Sequence, residues 1–311
     1  MGGVHLFSLA GVPVSVSGWF FALLGYYVYS AGMAAGLLFG ICVTFSLLVH
    51  EFGHALVARR YKLMPQVMLH GLGGLCAHKP AQNNRHDAFI IAAGPAAGLV
   101  LGGITYAVSK LLWAYRPDLM YGSVPLQLTI INLLYINIIW SLANLLPLWP
   151  LDGGQLYRIL MERLLRPAMA ARMTHGTGIV VGIGLLILVG LYVESPFLIM
   201  IVGFLVYQNF TQITKISGTG NLRSANRHSK ALLQEAQEAI ESGEPGRASR
   251  LCQQMRANGF VAESLQHKMW AILAVSSYAM GDAEDAEDYA RHAPDKVVLA
   301  MFDRLPKESQ E

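Results

Sequence analysis

The chain is 311 residues long, 54% hydrophobic and only 14% charged, with a formal net charge of +3 at pH 7. Soluble domains carry about 25% charged residues, so this composition excludes an ordinary soluble protein, and so small a positive excess gives no ground for nucleic-acid binding. Charges are sparse up to about residue 214 and dense beyond it, which divides the chain into a membrane part, 1–217, and a polar C-terminal domain, 225–305.

No basic segment and cleavage site of the signal-peptide kind opens the chain, so the first apolar stretch is expected to be retained. Residues 6–49 contain no Asp, Glu, Lys, Arg or His. One span needs about 20 apolar residues, so this run is expected to hold two helices, turning at Ser30-Ala31-Gly32. Residues 62–87 follow, with a predicted short strand ending at His70 and a turn at Gly71-Leu72-Gly73-Gly74. Uncharged runs at 88–109, 119–151, 176–193 and 195–214 complete a count of six transmembrane helices. The expected fold is therefore an all-α polytopic membrane protein with a small β element after helix two and a helical C-terminal domain. Lys and Arg collect on one side of these spans, around Arg59, Arg85, Arg158 and the segment after the last helix, whereas Lys110 and Arg116 alone mark the other. The positive-inside rule then places both termini in the cytoplasm, in a multi-pass protein of the cell membrane.

Near the cytoplasmic end of helix two stands His50-Glu51-Phe52-Gly53-His54. Residues four apart share one helical face, so both imidazoles reach one zinc ion, with Glu51 beside the water it activates. Two histidines and a glutamate within a span are expensive, because a charged residue costs about 2.5–3.5 kcal/mol at the bilayer centre. The plainer alternative is a polar cluster that joins helices. A catalytic zinc keeps three protein ligands and one open position. For the third ligand, Asp118 and Glu194 fall on the far side, whereas Asp87, Asp152 and Glu162 remain. Asp152 is preferred, since Pro147 and Pro150 interrupt the helix before it and Gly153-Gly154 lets backbone approach after it.

His50-Glu51-x-x-His54 together with Asn144-x-x-Pro147-x-x-x-x-Asp152-Gly153-Gly154 resembles the paired motifs of site-2 proteases, the intramembrane zinc metalloproteases. The likeness covers roughly residues 10–214 and extends to Ala93-Gly94-Pro95, with one departure at Gly98, where relatives often carry Asn or Ser. The resemblance implies one Zn2+ per chain held by His50, His54 and Asp152, with Glu51 as catalytic carboxylate. It also implies a role for Asn144 in holding substrate or the transition-state oxygen, against the plainer reading of an interhelical hydrogen bond. His70, His78, His86 and His175 are read as loop residues, and Cys42, Cys76 and Cys252 as free thiols.

From about residue 224, Ala, Leu and charged residues recur at helical spacing. Trp270-x-x-Leu273, Gly281 and Ala286 resemble part of a tetratricopeptide repeat, a helix hairpin, with a fainter copy at Gly243 and Ala248. This domain lacks a ligand cluster and is expected to select or regulate, with a peptide or protein as partner and an oligomer left open. The expected function is an endopeptidase that cuts in or near transmembrane segments of membrane proteins. The alternatives are a catalytically silent scaffold, which predicts a damaged ligand set, and a transporter, which predicts internal repeats.

Overall fold

The computed structural model describes residues 3–306 apart from 72, 82, 166, 194, 218–221, 258–260 and 262. Leu72 of the expected turn and Glu194 of the far-side assignment lie outside the described residues. Two compact units are present, Met1–Lys79 with Phe89–Leu146, and Pro80–Ala88 with Pro147–Glu311.

The first unit opens with strands β1 (Val4–Leu9) and β2 (Val12–Val16), joined through Ala10 and Gly11, both at positive φ of 49° and 70°. Two left-handed central residues make the tight hairpin turn that suits strand twist. β3 (Gln66–His70) and β4 (Gly73–Ala77) complete a sheet of order β1-β2-β3-β4, in which β2 pairs parallel to β3 with Val14 opposite Val67. Along β2 the valines 12, 14 and 16 are buried and alternate with Pro13 and Ser15. They pack toward Ala55, Val43 and Leu47 of α2, so the sheet is seated on the helix that carries the histidines.

Helices α1 (Gly18–Ala31) and α2 (Met33–Arg60) form a hairpin through Gly32, at φ 81°, where the turn was expected. Gly36 meets the backbone of Tyr27 and Val28, and Gly40 meets Leu24, so absent side chains let the two helices touch. α3 (Asn84–Tyr115) and the short α4 (Pro117–Gly122) follow. The next span comprises α5 (Val124–Leu134), a π-helical stretch Tyr135–Trp140 and α6 (Ser141–Asn144). Within it, Asn137 donates to Ser46 of α2 at 2.8 Å, one turn before His50.

Among the described residues five helices are long and apolar enough to cross a membrane, one fewer than the sequence count. The difference lies at the start. Of residues 6–31, the first part forms strands and α1 has only 14 residues, about 21 Å at 1.5 Å per residue against a hydrocarbon core of about 30 Å. The first apolar run holds strand β2, which buries its valines, and a helix shorter than a span ahead of α2.

The second unit contains α7 (Asp152–Leu164), α8 (Pro167–Leu188) with a π-helical end Val189–Val193, and α9 (Pro196–Ser217). Gly178 abuts Asn209 and Gly182 abuts Val206, which brings α8 and α9 together. The tail is helical throughout its regular elements: α10 (Leu222–Glu241), α11 (Pro245–Ala257), α12 (Glu263–Ala279), α13 (Ala283–Ala290) and α14 (Asp295–Phe302). Gly243 and Gly281 hold positive φ, 71° and 80°, at the turns of the α10/α11 and α12/α13 hairpins. The likeness of the tail to a tetratricopeptide repeat rests on the sequence pattern alone. The tail core of Ile240, Cys252, Met269, Trp270, Ile272 and Leu273 is closed. In this unit the 80–88 segment meets the tail, with Asn83 donating to Asp282 at 3.0 Å and the backbone N–H of Asn84 to the Tyr289 hydroxyl at 3.0 Å.

Candidate metal centre

The HExxH segment occupies the C-terminal half of α2, where the spacing stacks His50 and His54 on one face. His50, Glu51 and His54 are buried, at 6, 5 and 7% exposure. The two rings meet edge to face with centroids 4.8 Å apart, and their Nε2 atoms are 3.1 Å apart. On its other side, Nδ1 of His54 lies 2.7 Å from the carbonyl oxygen of Ile90. A carbonyl only accepts, so Nδ1 is the donor, and in a neutral imidazole the lone pair is then on Nε2, toward His50. Two nitrogens bound at about 2.0–2.1 Å to one tetrahedral zinc stand about 3.3 Å apart, close to the separation found. The donor pair fits a metal ion.

Glycines set the approach of neighbouring backbone. Gly53 faces the Ala93 carbonyl and Gly94 faces the His54 ring, and a Cβ at either place would collide. On the opposite side β4 runs over Glu51, because a Cβ at Gly74 would strike the carboxylate. Burial first, and the Glu51 charge second, push the Cys76 thiol on the same strand up to about 12, so it stays protonated. Gly98, the departure from the family pattern, faces the Ser141 hydroxyl, which supplies a polar group at that point.

Asp152 is the first residue of α7. The chain before it is compact: Leu148 is fully buried, the Trp149-Pro150 peptide is cis, and a Cβ at Gly154 would meet the Trp149 nitrogen at 2.5 Å. Gly154 is therefore required by helix α7 turning back on its own loop. His50, His54 and Asp152 offer ligand atoms that all lie within 4.8 Å of one another, and among the described residues this is the group of three His, Cys, Asp or Glu side chains that can hold a metal ion. Of the two competitors, Glu162 is paired with Arg158 at 2.8 Å and with Arg256, and Asp87 sits in the first turn of α3; neither joins the group. Asp118 is held by Arg116 at 3.0 Å. Asn144 is buried at 9% exposure at the end of α6.

Three corrections concern histidines. His70 ends strand β3, and His86 and His175 lie within helices α3 and α8, not in loops. The His175 ring stands edge-on to Trp149, centroids 5.9 Å apart, and its Nδ1 is 3.2 Å from Asn209 Oδ1. Asn209 is wholly buried and donates to the Trp149 carbonyl at 2.6 Å. Its support of the Asp152 loop went unread in the sequence, although an Asn inside an apolar run was the signal for it.

Residues 38–122 and 122–191 match the family described as Peptidase family M50. The Rip3 protein of Mycobacterium tuberculosis is 36% identical over 175 residues, 56% of this chain and 39% of that one. The sll0528 protein of Synechocystis sp. is 28% identical over 229 residues, 66% of this chain and 58% of that one. The zinc metalloprotease MJ0392 of Methanocaldococcus jannaschii is 26% identical, with 51% of this chain and 46% of that one covered. The chain thus spans about half the length of the relatives it matches. Among solved structures, the site-2 protease from Methanocaldococcus jannaschii aligns with a TM-score of 0.49 at 21% identity, over 68% of this chain and 94% of that one.

Proposed function

This chain belongs to peptidase family M50, the site-2 proteases, and on that premise we propose that it is a zinc endopeptidase that hydrolyses peptide bonds in or near transmembrane segments of other membrane proteins. The observation that carries the reading is the pair of Nε2 atoms 3.1 Å apart, with Asp152 in the same group and the Glu51 carboxylate on the residue between them in sequence. His50, His54 and Asp152 would hold the ion, which when bound would lower the pKa of a water toward about 7 and polarise the scissile carbonyl. Glu51 takes the proton of the attacking water and returns it to the leaving nitrogen. The Ile90 carbonyl fixes the tautomer and plane of His54, so that its Nε2 stays turned to the site. Asn144 donates its amide to the substrate carbonyl oxygen as charge develops there.

A peptide in a membrane helix has its carbonyls paired and must be locally extended before attack. β4 is an edge strand of the sheet and passes directly over Glu51, which supports an extended substrate pairing with it by strand addition. The protein is a multi-pass integral membrane protein. Its N-terminal strands join β3, beyond the end of α2 marked by Arg59 and Arg60, which supports the cytoplasmic placement of the N-terminus in the cell membrane. We assign cleavage to residues 1–217 and selection or regulation of substrates to the helical tail, 225–305.

The test separates proton transfer from metal binding. Glu51→Gln keeps shape but removes the base, which typically contributes about 10²–10⁴-fold. Purified Glu51→Gln is expected to retain one zinc while cleavage of a reconstituted single-pass substrate collapses. His50→Ala, His54→Ala and Asp152→Ala are expected to lose zinc and activity together. Full cleavage by Glu51→Gln would falsify the mechanism. Zinc retained by wild type without cleavage across many substrates favours the scaffold instead.

A further inference from the structure

The loop that presents Asp152 is gripped from several helices of its own unit. Asn209 of α9 holds the Trp149 carbonyl, His175 of α8 meets the edge of the Trp149 ring, and the Arg158 guanidinium of α7 lies over that ring at 5.6 Å. Arg158 also looks the other way. Its Nε donates to Glu162 at 2.8 Å and its Nη2 donates to the carbonyl of Arg256, in the tail, at 2.9 Å. The second oxygen of Glu162 pairs with the Arg256 guanidinium. Arg256 donates in turn to Asn84 at 2.6 Å and to Gln253 at 2.7 Å, and stands 5.0 Å over the ring of Trp270 in the tail core.

The cost of this arrangement argues that it does more than hold helices together. Arg256, Glu162 and Arg158 have side chains only 6, 12 and 22% exposed. Burying two guanidinium groups around a shared carboxylate gives up hydration that attraction often fails to return, and apolar residues of similar volume are commonly as stable or more so. What apolar residues cannot supply is direction. A planar guanidinium fixes a carboxylate, a carbonyl and an aromatic face at once, and here the aromatic face belongs to the residue three positions before Asp152.

We propose that Arg158 is a positioning residue for the Asp152 metal ligand, and that the C-terminal tail sets the geometry of the metal site through Arg256, Glu162, Arg158 and Trp149. The inference rests on Asp152 being a ligand, as proposed above. A partner that engages the tail and shifts α11 would act on metal geometry through this chain of contacts, which gives the tail a route to regulate cleavage.

The experiment uses the full chain in detergent, stripped of metal and titrated with Co2+, whose visible bands report ligand geometry. Removing groups that orient a ligand typically costs about 10–100-fold in metal affinity. Arg158→Met is expected to weaken Co2+ binding by that order and to shift the bands. Arg256→Met is expected to act in the same direction, and the double variant to be no weaker than Arg158→Met alone, because both break one path. Arg158→Lys keeps the charge but cannot make the fork, and carries the same expectation at smaller amplitude should the methionine variant not fold. Arg304→Met, which removes an exposed tail pair with Glu241, is expected to change nothing. Wild-type affinity and bands in both Arg158 variants, or multiplied effects in the double variant, overturn the inference. Unchanged Co2+ binding in Asp152→Ala instead overturns the ligand assignment beneath it.

Discussion

The membrane helices and the tail meet their solvents in opposite ways. On α2 and α3, Leu37, Ile41 and Ile104 are 50, 66 and 56% exposed, while Ser46 and Thr105 on the same helices and Asn137 in the π-helical stretch are buried at 3, 7 and 2%. In the tail, Ile240, Ile272 and Leu273 are fully buried, and charged residues such as Glu241 and Arg304 lie outside. In lipid, apolar side chains gain little by leaving the solvent, so close backbone contact at glycines and a few hydrogen bonds decide which helices meet. In water, apolar burial decides it. A metal site made of His and carboxylate is thus less out of place in the membrane part than its hydropathy suggests, because polar groups already face inward there.

The comparison breaks first at large side chains. Trp270→Ala is expected to destabilise the tail by about 3–5 kcal/mol, whereas Ile41→Ala, at a lipid-facing position, is expected to stay within about 0.5 kcal/mol. Protease susceptibility of the tail and thermal unfolding of the whole protein in detergent measure the two, and equal losses would sink the contrast.

Glycines sharpen it. Gly94→Ala forces a methyl into the His54 ring, and overpacking of this kind costs about 1–3 kcal/mol. Metal affinity is expected to fall with stability. Gly103 of the same helix has open space about its Cβ position, so Gly103→Ala is expected to be stabilising by about 0.5–1 kcal/mol from helix propensity. A Gly94→Ala protein that melts and binds zinc like wild type would show that α3 moves aside freely.

The third contrast is one of pH. In the tail, burial first and then Asp282 push the Asp285 carboxyl up to about 6, against the pull of Arg85 and Arg163, with Asp288 adding to the rise. Because this folded value lies above the unfolded one of about 3.9, the contribution of Asp285 to stability is full below pH 4 and is lost as pH rises through 6. Asp285→Asn is expected to flatten that part of the tail's pH dependence. Identical slopes for the two proteins between pH 4 and 7 would rule Asp285 out as the titrating group.

The smallest effect is expected at Asn137→Leu, which removes the hydrogen bond to Ser46; such interhelical bonds average about 0.6 kcal/mol in membranes. A loss above about 2 kcal/mol would mean that this pair also supports the neighbouring turn with His50.

Much of the site was legible because its chemistry is local. The i to i+4 spacing of His50 and His54 puts both imidazoles on one face whatever surrounds them, and the proline and glycine pattern around Asp152 announces a broken helix. The apolar runs announced membrane helices by length, and the recurrence of Ala, Leu and charged residues at helical spacing announced a helical tail. Tertiary structure alone decided that the uncharged start forms β1 and β2, since a run free of charges fits a buried strand as well as a span, and only pairing with β3 distinguishes them. It also decided that Glu162 serves Arg256 and Arg158 while Asp152 joins the histidines. Three carboxylates of similar chemistry differ only in what reaches them, and that depends on contacts between residues far apart in the chain, which no local period encodes.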